Sequence, residues 1–537
     1  MTAASFDVAA TNTTLFAAFL AAADAHGAGK LILEDAERSP LTYKRLILGS
    51  LVLGAKLAAV SRRAETVGVL LPNVNAMVVT LLGLNAFGRV AALLNFTAGA
   101  RNLVSAVTTG VIAKVVTSRR FIDQAKLDDV VAAIAATEIA PGKRVEIVYL
   151  EDIRKTIGTA DKLLGAFRGF WPAALHRSHA LRPDQPAVVL FTSGTEGTPK
   201  GVALSNRNLV ANAQQIFAHG TDVLSPRDTM MNPLPMFHSY GLTAGTLMPL
   251  LHGIKVVLYP SPLHYKQVPK LVRETASTLM VATDTFLQGY GRAADPEDLV
   301  SVRYVVAGAE RVKDATRALW NTYGTQILEG YGCTECSPVL ACNVPSATLA
   351  GSVGRLLPGI EYRLDPVEGI AEGGKLVVKG PNVMLGYIMA DKPGVIVPPP
   401  DGWHDTGDIV TIGETGGTMG DSAGFVTIRG RAKRFAKIGG EMVSLAAVET
   451  MAAGLWPDGN HVVVALPDPR KGEQLVLITD KPDADKNALL RHAQSAGFPE
   501  MWVPKAILVV GAIPVLGSGK TDFPAAIEMA RQARPLL

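Results

Sequence analysis

The sequence predicts an α/β protein of stacked layers with mainly parallel sheets, and three observations carry that prediction. Short apolar runs, such as residues 67–71 and 145–149, alternate with helical stretches through residues 1–185, the pattern of strands joined by covering helices. Further apolar runs, at residues 187–190 and 302–306 and at Ile327-Leu328, lead into loops that carry glycines and other small or hydroxyl residues, as strands do where a parallel sheet opens a ligand site. The length of 537 residues allows about three to five units, each large enough to bury a core.

Composition narrows the class. Hydrophobic residues make up 48% and charged residues 19% of the chain, which argues for a globular protein. Lys and Arg number 52 against 48 Asp and Glu, and the resulting +4 is too weak to argue for a nucleic-acid partner. The first seven residues lack the charged and apolar regions of a secretory signal, so a cytoplasmic chain is expected.

Residues 76–94 are mostly apolar, but Thr80, Asn85, Arg89 and two glycines interrupt them. They read as a buried helix rather than a membrane span. Residues 163–177 differ in character, placing Phe167, Phe170 and Trp171 beside Arg168, His176 and Arg177, with Lys162 just before. Two readings stand: a basic amphipathic helix touching the inner face of a membrane, or a surface helix packed on its own domain. His179 and Asp184 share the spacing of a glycerolipid acyltransferase motif, yet Pro183, Asp184 and Pro186 read as a linker.

The linker leads into Phe191-Thr192-Ser193-Gly194-Thr195-Glu196-Gly197-Thr198-Pro199-Lys200-Gly201. Glycines and small hydroxyl residues at a strand end let backbone N–H groups turn inward and hold a phosphate chain. The Walker spacing does not fit, because Pro199 stands between the last glycine and Lys200. The order Ser-Gly-Thr-x-Gly-x-Pro-Lys-Gly resembles the signature loop of the adenylate-forming, AMP-binding superfamily, which includes acyl-CoA synthetases, acyl carrier protein synthetases, adenylation domains and luciferases. By that resemblance Thr192, Ser193, Gly194, Thr195, Gly197, Thr198 and Lys200 bind ATP.

Later motifs extend the resemblance over nearly the whole chain. His238, in Asn232-Pro233-Leu234-Pro235-Met236-Phe237-His238, is expected beside the substrate carboxylate, with a structural histidine at a helix start as the alternative. Gly308, Ala309 and Glu310 are expected to form one wall of the adenine pocket. In Glu329-Gly330-Tyr331-Gly332-Cys333-Thr334-Glu335 the resemblance makes Tyr331 an adenine-stacking ring, Thr334 a phosphate ligand and Glu335 the ligand of a magnesium ion. Asp408 would accept hydrogen bonds from two ribose hydroxyls, and Arg431 would reach the nucleotide. Lys433 is the implied hinge and Lys520 the implied catalytic lysine, an ammonium bridging the attacking carboxylate and the α-phosphate. The resemblance thus implies a large N-terminal domain of residues 1–430, a hinge at 431–433 and a small mobile α+β domain at 434–537. Alternating helix and strand signals at 445–455, 461–466, 475–478, 486–494 and 506–510 give the small domain its own core.

The three cysteines, Cys333, Cys336 and Cys342, cluster within this nucleotide motif. No second Cys pair or His pair at metal-ligand spacing accompanies them, so neither a metal nor a redox role is expected. Within the superfamily the chain resembles most the bacterial acyl carrier protein synthetases and the synthetase half of 2-acylglycerophosphoethanolamine acyltransferases. Residues 259–265, 303–310 and 431–445 carry that resemblance, and no acyltransferase domain is expected ahead of them. The expectation is ATP- and Mg2+-dependent activation of a fatty acid to acyl-AMP, then transfer to the phosphopantetheine thiol of acyl carrier protein. The alternatives are a fatty acyl-CoA ligase, a fatty acyl-AMP ligase and a non-enzymatic nucleotide- or lipid-binding protein.

Overall fold

Two-residue periodicity in the strands explains the layering. In the strand Pro186–Ser193, Val188 and Leu190 enter one core while Val189 enters another; in Pro199–Ser205, Val202 and Leu204 oppose Ala203 in the same way. The strand Lys255–Leu258 repeats this in a second sheet, with Val256 and Leu258 in the shared core and Val257 in a third one. Successive side chains point to opposite faces, so each sheet is apolar on both sides and must be covered twice.

The structure, a computed structural model, describes residues 6–193, 199–368, 370, 372–413, 423–438, 441–468, 472–496, 498–515 and 521–533, without the side chains of Lys162, Ser193, Lys433 and Glu441. It is a two-domain α/β architecture. One compact unit takes in the chain to Thr348 with Leu356–Glu361 and Lys379–His404; the other takes in Leu349–Arg355, Tyr362–Val378 and the chain from Asp405.

In the larger unit, one sheet has the spatial order Val339–Cys342, Gln326–Gly332, Tyr304–Ala307, Leu279–Ala282, Thr229–Asn232, Lys255–Leu258, Leu31–Asp35, Leu41–Thr42. Its inner strands are parallel and its outer pairs antiparallel. The other sheet runs Ile396–Val397, Gly386–Ile388, Pro199–Ser205, Pro186–Ser193, Val90–Leu93, Thr66–Val69, Lys114–Thr117, Glu146–Tyr149. From Pro186–Ser193 onward it is parallel. Helices Leu15–His26, Tyr43–Val60 and Asn75–Ala86 contribute to the core that both sheets share.

Two sequence expectations change. Residues 76–94 are not one helix: the helix Asn75–Ala86 ends, the chain turns at Gly88 with φ +68°, and the strand Val90–Leu93 begins. Residues 163–177 split into the helices Thr159–Arg168 and Pro172–His179, because a proline is tolerated in the first turn of a helix and not in its interior. Among the described residues no helix is long and apolar enough to cross a membrane.

The smaller unit is α+β. One of its sheets, of Glu441–Ser444, Phe435–Ile438, Gly472–Thr479 and His461–Asp468, with Ala506–Val509 beside Gly472–Thr479, carries helices Leu445–Leu455 and Phe523–Ala533. Val463, Leu475 and Leu477 pack in the core with the first helix, and Val462, Val464, Val476 and Ile478 in the core with the second. These elements fall where the alternation of the sequence puts them.

Candidate functional site

The strands Pro186–Ser193 and Pro199–Ser205 are antiparallel neighbours, pairing Ser193 with Pro199 and Thr192 with Lys200. These two strands therefore form a hairpin, and the glycine-rich segment is what joins them in the sequence. Gly194, Thr195, Gly197 and Thr198 lie outside the described residues. Lys200, at the far end, holds its ammonium 5.5 Å from the ring centroid of Tyr387. The Tyr387 hydroxyl donates to Glu335 Oε1 at 2.7 Å. Burial and the Glu335 carboxylate push the Tyr387 phenol above its ordinary range, so it stays a donor. Beside Glu335, Thr334 Oγ1 accepts from Ser239 Oγ at 3.2 Å. Lys200, Tyr387, Glu335, Thr334 and Ser239 thus form one continuous polar line.

The helix that follows the hairpin braces this line. Ser205 caps Asn206–His219 reciprocally: Ser205 Oγ accepts from Asn208 N at 3.0 Å, and Asn208 Oδ1 accepts from Ser205 N at 2.8 Å, a cap of about 1 kcal/mol. Asn208 also donates to the carbonyls of Pro381 and Val383 at 2.8 and 2.7 Å. One turn on, the fully buried Asn212 donates to Val339 O at 2.8 Å and accepts from Val339 N at 3.0 Å. Met384 N in turn donates to Glu335 O at 2.8 Å. Asn208 and Asn212 do not stand out in the sequence, since polar residues on a helix look like a solvated face. The legible signal was Ser205-x-x-Asn208 at a helix start.

Gly330 and Tyr331 pair with Cys342 and Ala341 on the neighbouring antiparallel strand, and Tyr331 is 9% exposed. A Cβ on Gly332 would stand 1.9 Å from Pro338 O, so no other residue fits where the chain folds back toward Thr334. Gly308 follows the strand Tyr304–Ala307 and lies over Tyr240, whose hydroxyl donates to Val306 O at 2.6 Å. Ala309 is left-handed, with φ +70°. Glu310 accepts from the backbone N and hydroxyl of Thr285 at 3.0 and 2.9 Å, at the start of the helix Asp284–Ala293. Glu329 is ion-paired with Arg317 and accepts from Val312 N at 3.0 Å. Both carboxylates are therefore engaged with the protein. His238 packs edge-on against Phe237, ring centroids 4.7 Å apart, just ahead of the π-helix Tyr240–Leu247.

In the smaller unit, Asp408 and Arg431 face each other on the strands His404–Ile412 and Val426–Arg431, with Arg431 Nε 3.1 Å from Asp408 Oδ1. The Asp408 side chain is 5% exposed and that of Arg431 67%, so the guanidinium shields a carboxylate that sits at the edge of solvent. Lys433 lies in the short 3₁₀ turn Ala432–Arg434. Next to it, Arg434 pairs with Glu449 at 2.7 Å. Lys520 lies outside the described residues.

The cysteines hold a further surprise. Cys333 and Cys336 are joined by His404, 68 positions beyond Cys336, and one potential ligand atom from each lies within 4.8 Å of the others. Its hydrogen bond with the Cys336 sulfur, then burial, pushes the Cys333 thiol up. Cys342 stands apart, its thiol directed at Asn343 O at 3.2 Å. No local spacing in the sequence announces His404 as a neighbour, because the fold and not the motif brings it there.

The AMP-binding enzyme family matches residues 19–388. A 3-[(3aS,4S,7aS)-7a-methyl-1,5-dioxo-octahydro-1H-inden-4-yl]propanoyl:CoA ligase of Rhodococcus jostii is 32% identical over 358 residues, 64% of this chain and 65% of that protein. A long-chain-fatty-acid–CoA ligase of Yersinia pestis is 29% identical over 365 residues, 64% of this chain and 62% of its own length. Among solved structures, the anthranilate CoA ligase AuaEII in complex with anthranoyl-AMP aligns over 98% of this chain and all of its own, with TM-score 0.78 and 18% identity.

The Rhodococcus and Yersinia relatives overturn the expectation of an acyl carrier protein synthetase, because they are CoA ligases. The physical reason is visible in the residues that suggested it. Tyr259 Oη and His264 Nδ1 are 3.0 Å apart, Pro262 O accepts from Tyr290 Oη at 2.8 Å, and Arg303 pairs with Asp228 at 2.7 Å. Those segments hold the fold together, and such contacts say nothing of the thiol that accepts the acyl group. With the family matched over more than half its length, the chain belongs to the AMP-binding enzymes, the adenylate-forming superfamily.

Proposed function

We propose that this protein is an AMP-forming acyl-CoA ligase that activates a fatty carboxylate. The carboxylate oxygen attacks the α-phosphorus of ATP and pyrophosphate leaves; the thiol of CoA then attacks the acyl carbon and AMP leaves. The observation that carries the reading is the polar line from Lys200 through Tyr387 to Glu335 and Thr334, set at the end of a glycine-rich hairpin. In the first step Lys200 and the hairpin N–H groups balance charge on the β- and γ-phosphates, and Lys520 bridges carboxylate and α-phosphate. Thr334 donates to a phosphate oxygen. Asp408 and Arg431 serve the nucleotide, Asp408 accepting from the ribose hydroxyls once Arg431 turns to the phosphate. Lys433 is the hinge between half-reactions.

Glu335 fits a magnesium ion by chemistry: it is a hard oxygen donor, and Tyr387 holds Oε1 and so restrains the carboxylate. Bound there, the ion would neutralise phosphate charge. His238, ahead of the π-helix, is the group beside the substrate carboxylate; Gly308, Ala309 and Tyr331 would line the adenine.

The test is pyrophosphate release across fatty acids of graded length, with CoA or acyl carrier protein as acceptor. Turnover with CoA should exceed turnover with carrier protein at matched concentration. Absence of pyrophosphate release with every carboxylate would sink the reading.

A cytosolic enzyme of water-insoluble acids gains from contact with a membrane, and one exposed patch supports it. Phe170 and Trp171 are 74% and 60% exposed where the two short helices break, with Leu163, Leu164 and Phe167 exposed beside them. Sedimentation with anionic phospholipid vesicles should fall several-fold on Phe170→Ser with Trp171→Ser. Equal sedimentation of variant and parent would remove the membrane from the proposal.

A further inference from the structure

Cys333, Cys336 and His404 present two sulfurs and an imidazole nitrogen mutually within 4.8 Å. Cys336 is wholly buried and His404 6% exposed. The cysteines stand at either end of a tight turn closed by Cys336 N–H to Cys333 O at 2.9 Å and tied down by Cys333 N–H to Pro338 O at 3.0 Å. Asn382 Nδ2 donates to Cys336 O at 2.9 Å and fixes the turn from the other side. His404 opens the strand His404–Ile412 and arrives from a separate part of the chain.

We infer that these three side chains are a binding site for one thiophilic divalent cation, of which Zn2+ is the type. The donor set decides the class: two sulfurs and an imidazole suit zinc, whereas magnesium and calcium take oxygen. Around zinc, Zn–S bonds of about 2.3 Å and Zn–N bonds of about 2.0–2.1 Å put tetrahedral ligand atoms roughly 3.4–3.8 Å apart. The observed separations, all within 4.8 Å, exceed that range by at most about 1 Å. Three protein ligands leave the fourth position to water. The two-residue spacing of the cysteines is the spacing of zinc-binding turns, and the missing local partner is supplied by tertiary structure.

The chain therefore interleaves two metal chemistries in four residues. Cys333 and Cys336 are soft and face His404; Glu335 between them is hard and is held by Tyr387. A cation on the soft set ties the turn that bears Thr334 and Glu335 to the start of the strand at His404. It does so whichever acid or thiol the enzyme uses, so this inference stands apart from the ligase reading.

The experiment uses the full-length protein, reduced with a phosphine and stripped with a chelator, then titrated with Co2+. One equivalent should bind, giving an intense near-ultraviolet thiolate-to-cobalt band and visible bands of a tetrahedral ion, both bleached by Zn2+. Cys336→Ser and His404→Gln should each weaken binding by more than the roughly 10–100-fold that loss of an outer-shell partner causes. Cys342→Ser should bind as the parent does. A cobalt spectrum without the sulfur band in the parent protein overturns the inference even if no variant folds. So does equal affinity of the parent, Cys336→Ser and His404→Gln.

Discussion

His252 lies flat on Phe217, ring centroids 4.0 Å apart and planes inclined by 2°, and its Nε2 is shut off from solvent with no hydrogen-bond partner among the described residues. Adding a proton there creates a charge without water, and burial, with the charge of His26, pushes the pKa from 6.5 down to about 4. Between those two values the unfolded chain binds the proton and the folded chain does not, so stability falls as pH drops, by up to about 1.4 kcal/mol per unit. His176, buried between Thr14 and Ala86 O, acts in the same direction. The melting temperature should decline from pH 6.5 to 4, and His252→Phe, which keeps the stacking, should shrink that decline. Identical slopes for the two proteins would show that the imidazole is charged in the fold. At the site, Tyr387→Phe removes only the hydroxyl on Glu335 and should lower kcat/KM for Mg-ATP by about 10–100-fold, with thermal stability little changed. Glu335→Gln should lower it further. A large drop in melting temperature with unaltered turnover would make both residues structural.

At the scale of elements, Asn212 deserves a test because it satisfies both backbone groups of Val339 from a buried helix. Asn212→Leu leaves an N–H and a carbonyl unpaired in the strand beside Gln326–Gly332, at about 1–3 kcal/mol each. Urea denaturation should report a loss of a few kcal/mol, and retention of parent stability would mean the strand finds other partners. The helices Tyr43–Val60 and Asn75–Ala86 cross at Gly54 and Gly83, where a Cβ on Gly54 would stand 2.5 Å from Gly83 O. Alanine is the better helix former by about 1 kcal/mol, but overpacking against an immovable backbone oxygen costs about 1–3 kcal/mol. Gly54→Ala should therefore destabilise, and a raised midpoint would show that the helices part freely. Elements of regular period were legible in the sequence: the helix Leu445–Leu455 and the strand Gly472–Thr479 follow from their apolar spacing. What escaped depends on distance along the chain. The apolar run at 76–94 hides a helix, a turn and a strand because both elements are buried on every side, which erases periodicity. Asn212 and His404 act on partners more than 60 positions away, so no window of sequence contains both halves of their job.

For the molecule as a whole, the nucleotide motifs named the superfamily but not the acceptor. Loops that hold ATP are shared by every branch, whereas the thiol meets a surface on which no short motif is written. Two half-reactions should separate cleanly: Lys520→Ala is expected to abolish pyrophosphate release while leaving thioester formation from supplied acyl-adenylate largely intact. Equal loss in both steps would remove Lys520 from its assigned role. The sheet order also sets a timetable for synthesis. Leu33 lies early in the chain, yet its parallel partner is Val256, and both belong to the core that the two sheets share. On a ribosome adding about 5–20 residues per second, the strand Leu31–Asp35 waits roughly 11–45 s for that partner to be made. Throughout that interval its apolar face and unpaired edge are open to other nascent chains, so the yield of active enzyme is decided by what shelters the first 250 residues while the rest is translated.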